Sequence, residues 1–67
     1  MKLFQDVLRE YRKSQGKTQA EMAKILNVKQ QTYCNYERGK RKPDMDILIK
    51  MAEQFKISLD VLTGRYE

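Results

Sequence analysis

The 67-residue chain has no histidine, a single cysteine, Cys34, and no apolar run near the ~20 residues that cross a bilayer. One cysteine closes no disulfide within the chain. Without histidine, neither a zinc site of cysteine and histidine ligands nor a Cys-His nucleophile can be built. Paired carboxylates on one helical face and a glycine-rich phosphate loop are missing too, and so short a chain leaves no room for a substrate pocket beside its core. These absences exclude the common enzyme classes and imply neither metal nor cofactor. The N-terminus "MKLFQDVLRE" places Asp6 and Glu10 where a signal peptide stays apolar. A cytoplasmic protein is expected, neither exported nor embedded in a membrane. No stretch alternates with a period of two, so no sheet is expected, and internal repeats, linkers and low-complexity segments are lacking.

Positive charge is plentiful. Fourteen Lys and Arg against nine Asp and Glu leave a net +5, unevenly spread. Residues 1–42 carry eleven basic and four acidic side chains, whereas residues 43–67 carry three and five. One part of the molecule is therefore basic and the other slightly acidic. A basic patch suits nucleic acid or an anionic membrane surface, and it also serves simply to keep a small protein in solution.

Leu3, Phe4, Val7, Leu8 and Tyr11 recur at helical spacing and predict a first helix over about 3–14, stopped by Gly16. Thr18, with Glu21 three residues on, forms a capping box opening a second helix over about 19–26, with Ala20, Met22, Ala23, Ile25 and Leu26 as its apolar residues. Asn27 tolerates positive φ, so the chain can turn at once into a third helix over about 29–37, ended by Gly39 and followed by the basic loop "RGKRK". Pro43 and Asp44 open a fourth helix over about 44–54, with a wide apolar face of Met45, Ile47, Leu48, Met51, Ala52 and Phe55. Ser58 caps a short fifth over about 58–63. The reading is all-α, five short helices, with helices 2 and 3 joined by the shortest connection. The methionines, at helical spacing, are read as core.

At about 100° per residue, with Gln30 at 0°, Cys34 falls near 40°, Gln31 near 100° and Asn35 near 140°. Tyr33 and Tyr36 fall on the opposite side, near 300° and 240°. The third helix should bury its tyrosines and turn Gln30, Gln31, Cys34 and Asn35 outward. A side-chain amide is both donor and acceptor, so it can pair with N6 and N7 of adenine in the major groove. Taken singly, each of these amides is equally at home as an ordinary surface residue. Cys34 reads as a small filler.

From Leu3 to Leu62 the chain resembles the lambdoid phage repressor and Cro type of helix-turn-helix domain, the xenobiotic-response-element family. The resemblance rests on Thr18-Gln19 opening helix 2, Ala23 at the helix crossing, Val28 after the turn, "YERG", and "KPDMDILIKMAEQFKISLDVL". It implies a compact five-helix lambda-repressor-like DNA-binding domain whose helices 2 and 3 form the helix-turn-helix. By this resemblance Gln30, Gln31 and Asn35 read base edges, while Gln19 binds a phosphate and braces Gln30. Lys29 and Thr32 stand at the groove rim, and Lys40, Arg41 and Lys42 hold the DNA backbone together with exposed amide N–H groups. Arg12 and Glu37 occupy the positions of a buried structural ion pair. Leu59, Leu62 and Tyr66 would contact a second subunit, giving a homodimer on an inverted-repeat operator. The implied function is a transcriptional regulator acting as a repressor; the alternative is an antitoxin or a restriction-modification controller of the same fold that also binds a protein partner. Three positions depart from the family pattern. Tyr33 replaces an aliphatic residue and, if buried, needs a partner for its hydroxyl; Lys17 stands where leucine is usual, exchanging a core contact for a phosphate contact; Asn27 stands where glycine is usual and suits the turn.

Overall fold

A computed structural model of the protein describes residues 3–63. It contains α1 (Phe4–Ser14), α2 (Gln19–Leu26), α3 (Gln30–Glu37), α4 (Met45–Phe55) and α5 (Leu59–Leu62). All five expected helices form, with ends moved by about a residue, and among the described residues there is no strand. The shifts have a local cause. Lys29, Asp44 and Ser58 have extended backbone and stand just outside their helices; the side chains of Asp44 and Ser58 accept from the N–H groups of Ile47 and Val61. The expected box at α2 is complete: Thr18 Oγ1 accepts from Glu21 N–H, and Thr18 N–H donates back to the Glu21 carboxylate at 2.8 Å. That main-chain donor, foremost, holds the Glu21 carboxyl below its usual range.

Helices α1 to α4 all end in the same way. Gly16, Asn27, Gly39 and Lys56 have left-handed backbone, and the next N–H closes back on a carbonyl five residues earlier: Lys17 on Arg12, Val28 on Ala23, Lys40 on Asn35, Ile57 on Ala52. This Schellman turn satisfies carbonyls that a helix end would strand. Two of the four also share side chains. Met22-Ala23 through Asn27-Val28 and Met51-Ala52 through Lys56-Ile57 present the same pattern of small, apolar and left-handed positions, a short repeat that a search at domain scale passes over. Lys56 is the costly member, because φ of +58° crowds its Cβ. Lys56→Gly should therefore raise stability by about 0.5–1 kcal/mol after allowance for the looser unfolded chain, read as a higher urea midpoint with unchanged slope.

The helices pack around one core. α2 lies against α3 and α4, and α1 against α3 and α5. Leu8, Met22, Leu26, Tyr33, Met51 and Leu62 are fully buried, and Tyr11 stacks on Phe55 with ring centroids 5.5 Å apart. Several expected core residues lie outside it. Ala20 and Ile25 are exposed because α2 turns only Met22, Ala23 and Leu26 inward. Met45 is 59% exposed at the start of α4, so the methionines are not uniformly core, and Met1 lies outside the described residues. Conversely Leu62 is wholly buried and cannot supply a contact to a second subunit. Leu59 remains exposed, and Tyr66 lies outside the described residues. Among the described residues no helix is long and apolar enough to cross a membrane.

Candidate nucleic-acid interface

A helix with its side chains is about 10–12 Å across, which the roughly 12 Å wide DNA major groove admits, and the eight residues of α3 give it about two turns to lay there. α3 divides its side chains sharply. Tyr33, Tyr36 and Glu37 are buried; Gln30 and Gln31 are exposed; Thr32, Cys34 and Asn35 are half-buried at the margin. The outward row is therefore present, but Asn35 sits deeper than its amide neighbours. Gln31 Nε2 donates to Asn35 Oδ1 at 3.3 Å, joining two of the three amides across one turn. Lys29 is exposed at the start of the helix.

The basic loop follows directly. Lys40, Arg41 and Lys42 are all exposed, so their charges stand free beside the end of α3. Their backbone is less free than expected. The N–H groups of Lys40 and Arg41 are both taken up by the carbonyl of Asn35, at 2.9 and 3.3 Å, so those two amides are committed to the turn and the side chains must carry any backbone contact.

Behind α3 stands a buried carboxylate, Glu37, whose side chain is 2% exposed. Arg12 donates to it through Nε at 2.6 Å and Nη2 at 3.2 Å, Tyr33 through its hydroxyl at 2.6 Å, and Gln19 through Nε2 at 3.0 Å. Arg9 lies at the edge, 4.0 Å from the carboxylate, and its Nη2 donates to the main-chain carbonyl of Glu37 at 2.8 Å. Arg12 also reaches the carbonyl of Lys17 at 2.9 Å. Lys17 is half-buried, and its main chain thus serves the hub. One carboxylate consequently joins α1, α2 and α3. No buried polar side-chain atom among the described residues lacks a partner, so the desolvation cost of this charge is answered by hydrogen bonds.

Two of these contacts change the sequence-based picture. The Tyr33 hydroxyl is consumed inside the protein, which gives the buried phenol the partner it needs. Gln19 points its amide nitrogen at Glu37, and a carboxylate only accepts, so one N–H is committed there rather than to Gln30. Arg9 was not singled out from the sequence; its place one turn before Arg12 on α1 is the signal that marks it as sharing the same face.

Burial is the largest influence on the Glu37 carboxyl and pushes it upward, but the bonds from Arg12, Tyr33 and Gln19, with the Arg12 charge, outweigh it and hold it below the ordinary range. The bond to Glu37 in turn raises Arg12. The Tyr33 phenol is pushed well above its ordinary range, first by burial and then by its bond to Glu37 and that group's charge. The two shifts bound stability from opposite sides. A carboxyl lowered by folding stabilises above its unfolded pKa of about 4.3, and the contribution is lost as pH falls below that. A phenol raised by folding stabilises below its unfolded value of about 10, and the contribution fades as pH climbs past it. Urea midpoints should form a plateau between about pH 5 and 9 and decline on either side. Tyr33→Phe should lessen the alkaline decline and cost about 1.5–3 kcal/mol at neutral pH, the worth of a hydrogen bond to a charged group.

The surface thus combines an exposed amide row on a groove-width helix with three free cations beside it, all mounted on a buried ionic hub. Comparison with known proteins places the fold that carries this surface. The family described as Helix-turn-helix matches residues 8–62. The HTH-type transcriptional regulator ImmR of Bacillus subtilis (strain 168) is 42% identical over 60 residues, covering 90% of this chain and 47% of that protein. The cryptic phage CTXphi transcriptional repressor RstR of Vibrio cholerae is 42% identical over 55 residues, covering 82% of this chain and 49% of its own. A transcriptional regulator from Listeria innocua, known from its crystal structure, superposes with a TM-score of 0.89 at 34% identity, over 96% of this chain and 60% of that one. The chain thus spans about half the length of the two sequence relatives. With the matched region running from α1 to α5 and the fold agreeing throughout, the chain belongs to the helix-turn-helix family, of the Cro/C1 type.

Proposed function

We propose that this chain is a sequence-specific, double-stranded DNA-binding module of a transcriptional regulator that acts as a repressor. α3 enters the major groove, where Gln30, Gln31 and Asn35 meet base edges. Lys29 and Thr32 line the rim, Gln19 offers its second N–H to a phosphate, and Lys40, Arg41 and Lys42 hold the backbone. These are the specifying and the positioning contacts that a DNA reader needs. The observation that carries the reading is the exposed amide row standing next to three exposed cations. Repression is steric: a homodimer, paired through exposed Leu59, covers two half-sites about 34 Å apart on one face of the duplex.

Selection of bound duplexes from a random pool, at near-physiological salt, tests this directly. An inverted repeat with half-site centres about ten base pairs apart is expected. Gln30→Ala should relax base choice at one position in each half-site by about 1–3 kcal/mol, measured as the difference between preferred and substituted duplexes. A pool that stays random, with binding that fades as salt rises, would refute the proposal.

A second reading is favoured by one observation. Met45 and Ile49, 59% and 40% exposed, lie one turn apart on α4, away from the amide row in sequence and helix. An antitoxin or restriction-modification controller of this fold would use such an apolar stripe for a protein partner. Specific DNA binding that strengthens only when another protein is supplied would favour that reading.

A further inference from the structure

The hydrogen bond between Gln31 and Asn35 gives the two amides a joint polarity. Each carries two N–H donors and one carbonyl. Their bond uses one N–H of Gln31 and engages the carbonyl of Asn35. What remains is, at Gln31, Oε1 with one N–H beside it in an order set by the bond, and at Asn35 the N–H groups of Nδ2. Neither amide can turn over alone, because that would set nitrogen against nitrogen or oxygen against oxygen. Asn35 is the fixed member. It is half-buried, whereas Gln31 stands in solvent. Gln31 has Asn35 to hold its orientation.

Residues one turn apart on a helix have Cβ atoms about 5–6 Å apart, more than the ~3.4 Å between stacked bases. The two free ends therefore span neighbouring base pairs rather than one. We infer that Gln31 and Asn35 act as a single reading unit for a step of two adjacent base pairs, an inference that rests on α3 being the DNA-facing helix. The Gln31 end accepts from an exocyclic amine, N6 of adenine or N4 of cytosine. The Asn35 end donates to N7 or O6 of a purine or to O4 of thymine. Since the bond sets which way the Gln31 amide edge faces relative to Asn35, the base chosen at one position constrains the base chosen next to it. Two independent amides would impose no such constraint.

The experiment measures affinities of the purified chain, and of Gln31→Ala, Asn35→Ala and the double variant, for duplexes carrying every base combination at each adjacent pair of positions in the selected half-site. In the unaltered chain, one step should depart from the product of its single-position preferences by at least about 3-fold. That departure should vanish in either single variant. Each substitution should weaken binding to the preferred step by about 10-fold, and the double variant should lie within about 2-fold of the weaker single one. Both residues are at the surface margin, so helical circular dichroism should be unchanged, which separates lost reading from lost folding. Preferences that multiply independently at every step, or non-additivity that survives both alanine changes, would overturn the joint unit while leaving DNA reading by α3 intact. A chain with no base preference at all would overturn DNA reading itself, and the pair with it.

Discussion

Replacing Arg12 with methionine is expected to destabilise the domain by about 3–5 kcal/mol, the usual cost of stranding one member of a buried ion pair. The mechanism is specific to the hub. Arg12 is the only full charge in hydrogen-bonding contact with the Glu37 carboxylate among the described residues; Tyr33 and Gln19 are neutral, and Arg9 stands 4.0 Å away. Methionine fills much of the arginine stem's volume, so packing is largely kept while the charge is lost. A chain of this length has a total stability of about 3–10 kcal/mol, which makes the loss a large fraction of the whole. Urea denaturation reads the cost. Removing both charges and the hydroxyl that Glu37 serves, with Arg12→Met, Glu37→Leu and Tyr33→Phe together, should hurt less than Arg12→Met alone, because neither a carboxylate nor a buried phenol is then left unanswered. A single variant that costs under about 1 kcal/mol would show that Tyr33 and Gln19 suffice to carry the charge.

The largest functional effect is expected from the loop. Changing Lys40, Arg41 and Lys42 together to alanine should lower the magnitude of the slope of log affinity against log salt by up to about 2.7, if each cation neutralises one phosphate. At 0.1 M salt this corresponds to a loss approaching about 500-fold, similar for preferred and random duplexes. Stability should barely change, since all three side chains are exposed and the turn is closed by main-chain bonds that alanine retains. Filter binding across a salt series separates this uniform loss from the position-specific loss at Gln30. A triple variant with an unchanged salt slope would place the phosphate contacts on other residues.

What could be read from the sequence divides along physical lines. Caps were legible because they depend on residues three apart: Thr18 with Glu21, Asp44 with Ile47 N–H, Ser58 with Val61 N–H. The inward and outward sides of α3 followed from helical geometry, which placed Tyr33 and Tyr36 opposite Gln30 and Gln31. The short α5 defeated the same reasoning. With three apolar residues in four, its sequence does not say which is inward, and Leu62 proves to be core. α4 offered an apolar arc wider than the neighbours available to cover it, which leaves Met45 and Ile49 outside. Lys56 gave no sign of its left-handed turn, because lysine seldom adopts one.

The candidate site was legible in part for a related reason. Arg12 and Glu37 were expected as a pair through family resemblance. The arrival of Gln19 and Arg9 at the same residue, across separations of 18 and 28 residues, is tertiary and has no local signature. So is the loss of two loop N–H groups to the Asn35 carbonyl.

α3 has no side-chain cap at its start, and its anchors lie along its inner side and at its far end: Tyr33 and Tyr36 in the core, Glu37 in the ionic hub, Gly39 in the closing turn. Its outward residues Gln30 and Gln31 bear on none of these. The same short helix thus carries two vocabularies that can change independently. Descendants of one ancestor could exchange the residues at positions 30 and 31, and so acquire a new operator, without renegotiating the fold, and an engineer could graft a foreign reading face onto this frame by the same route.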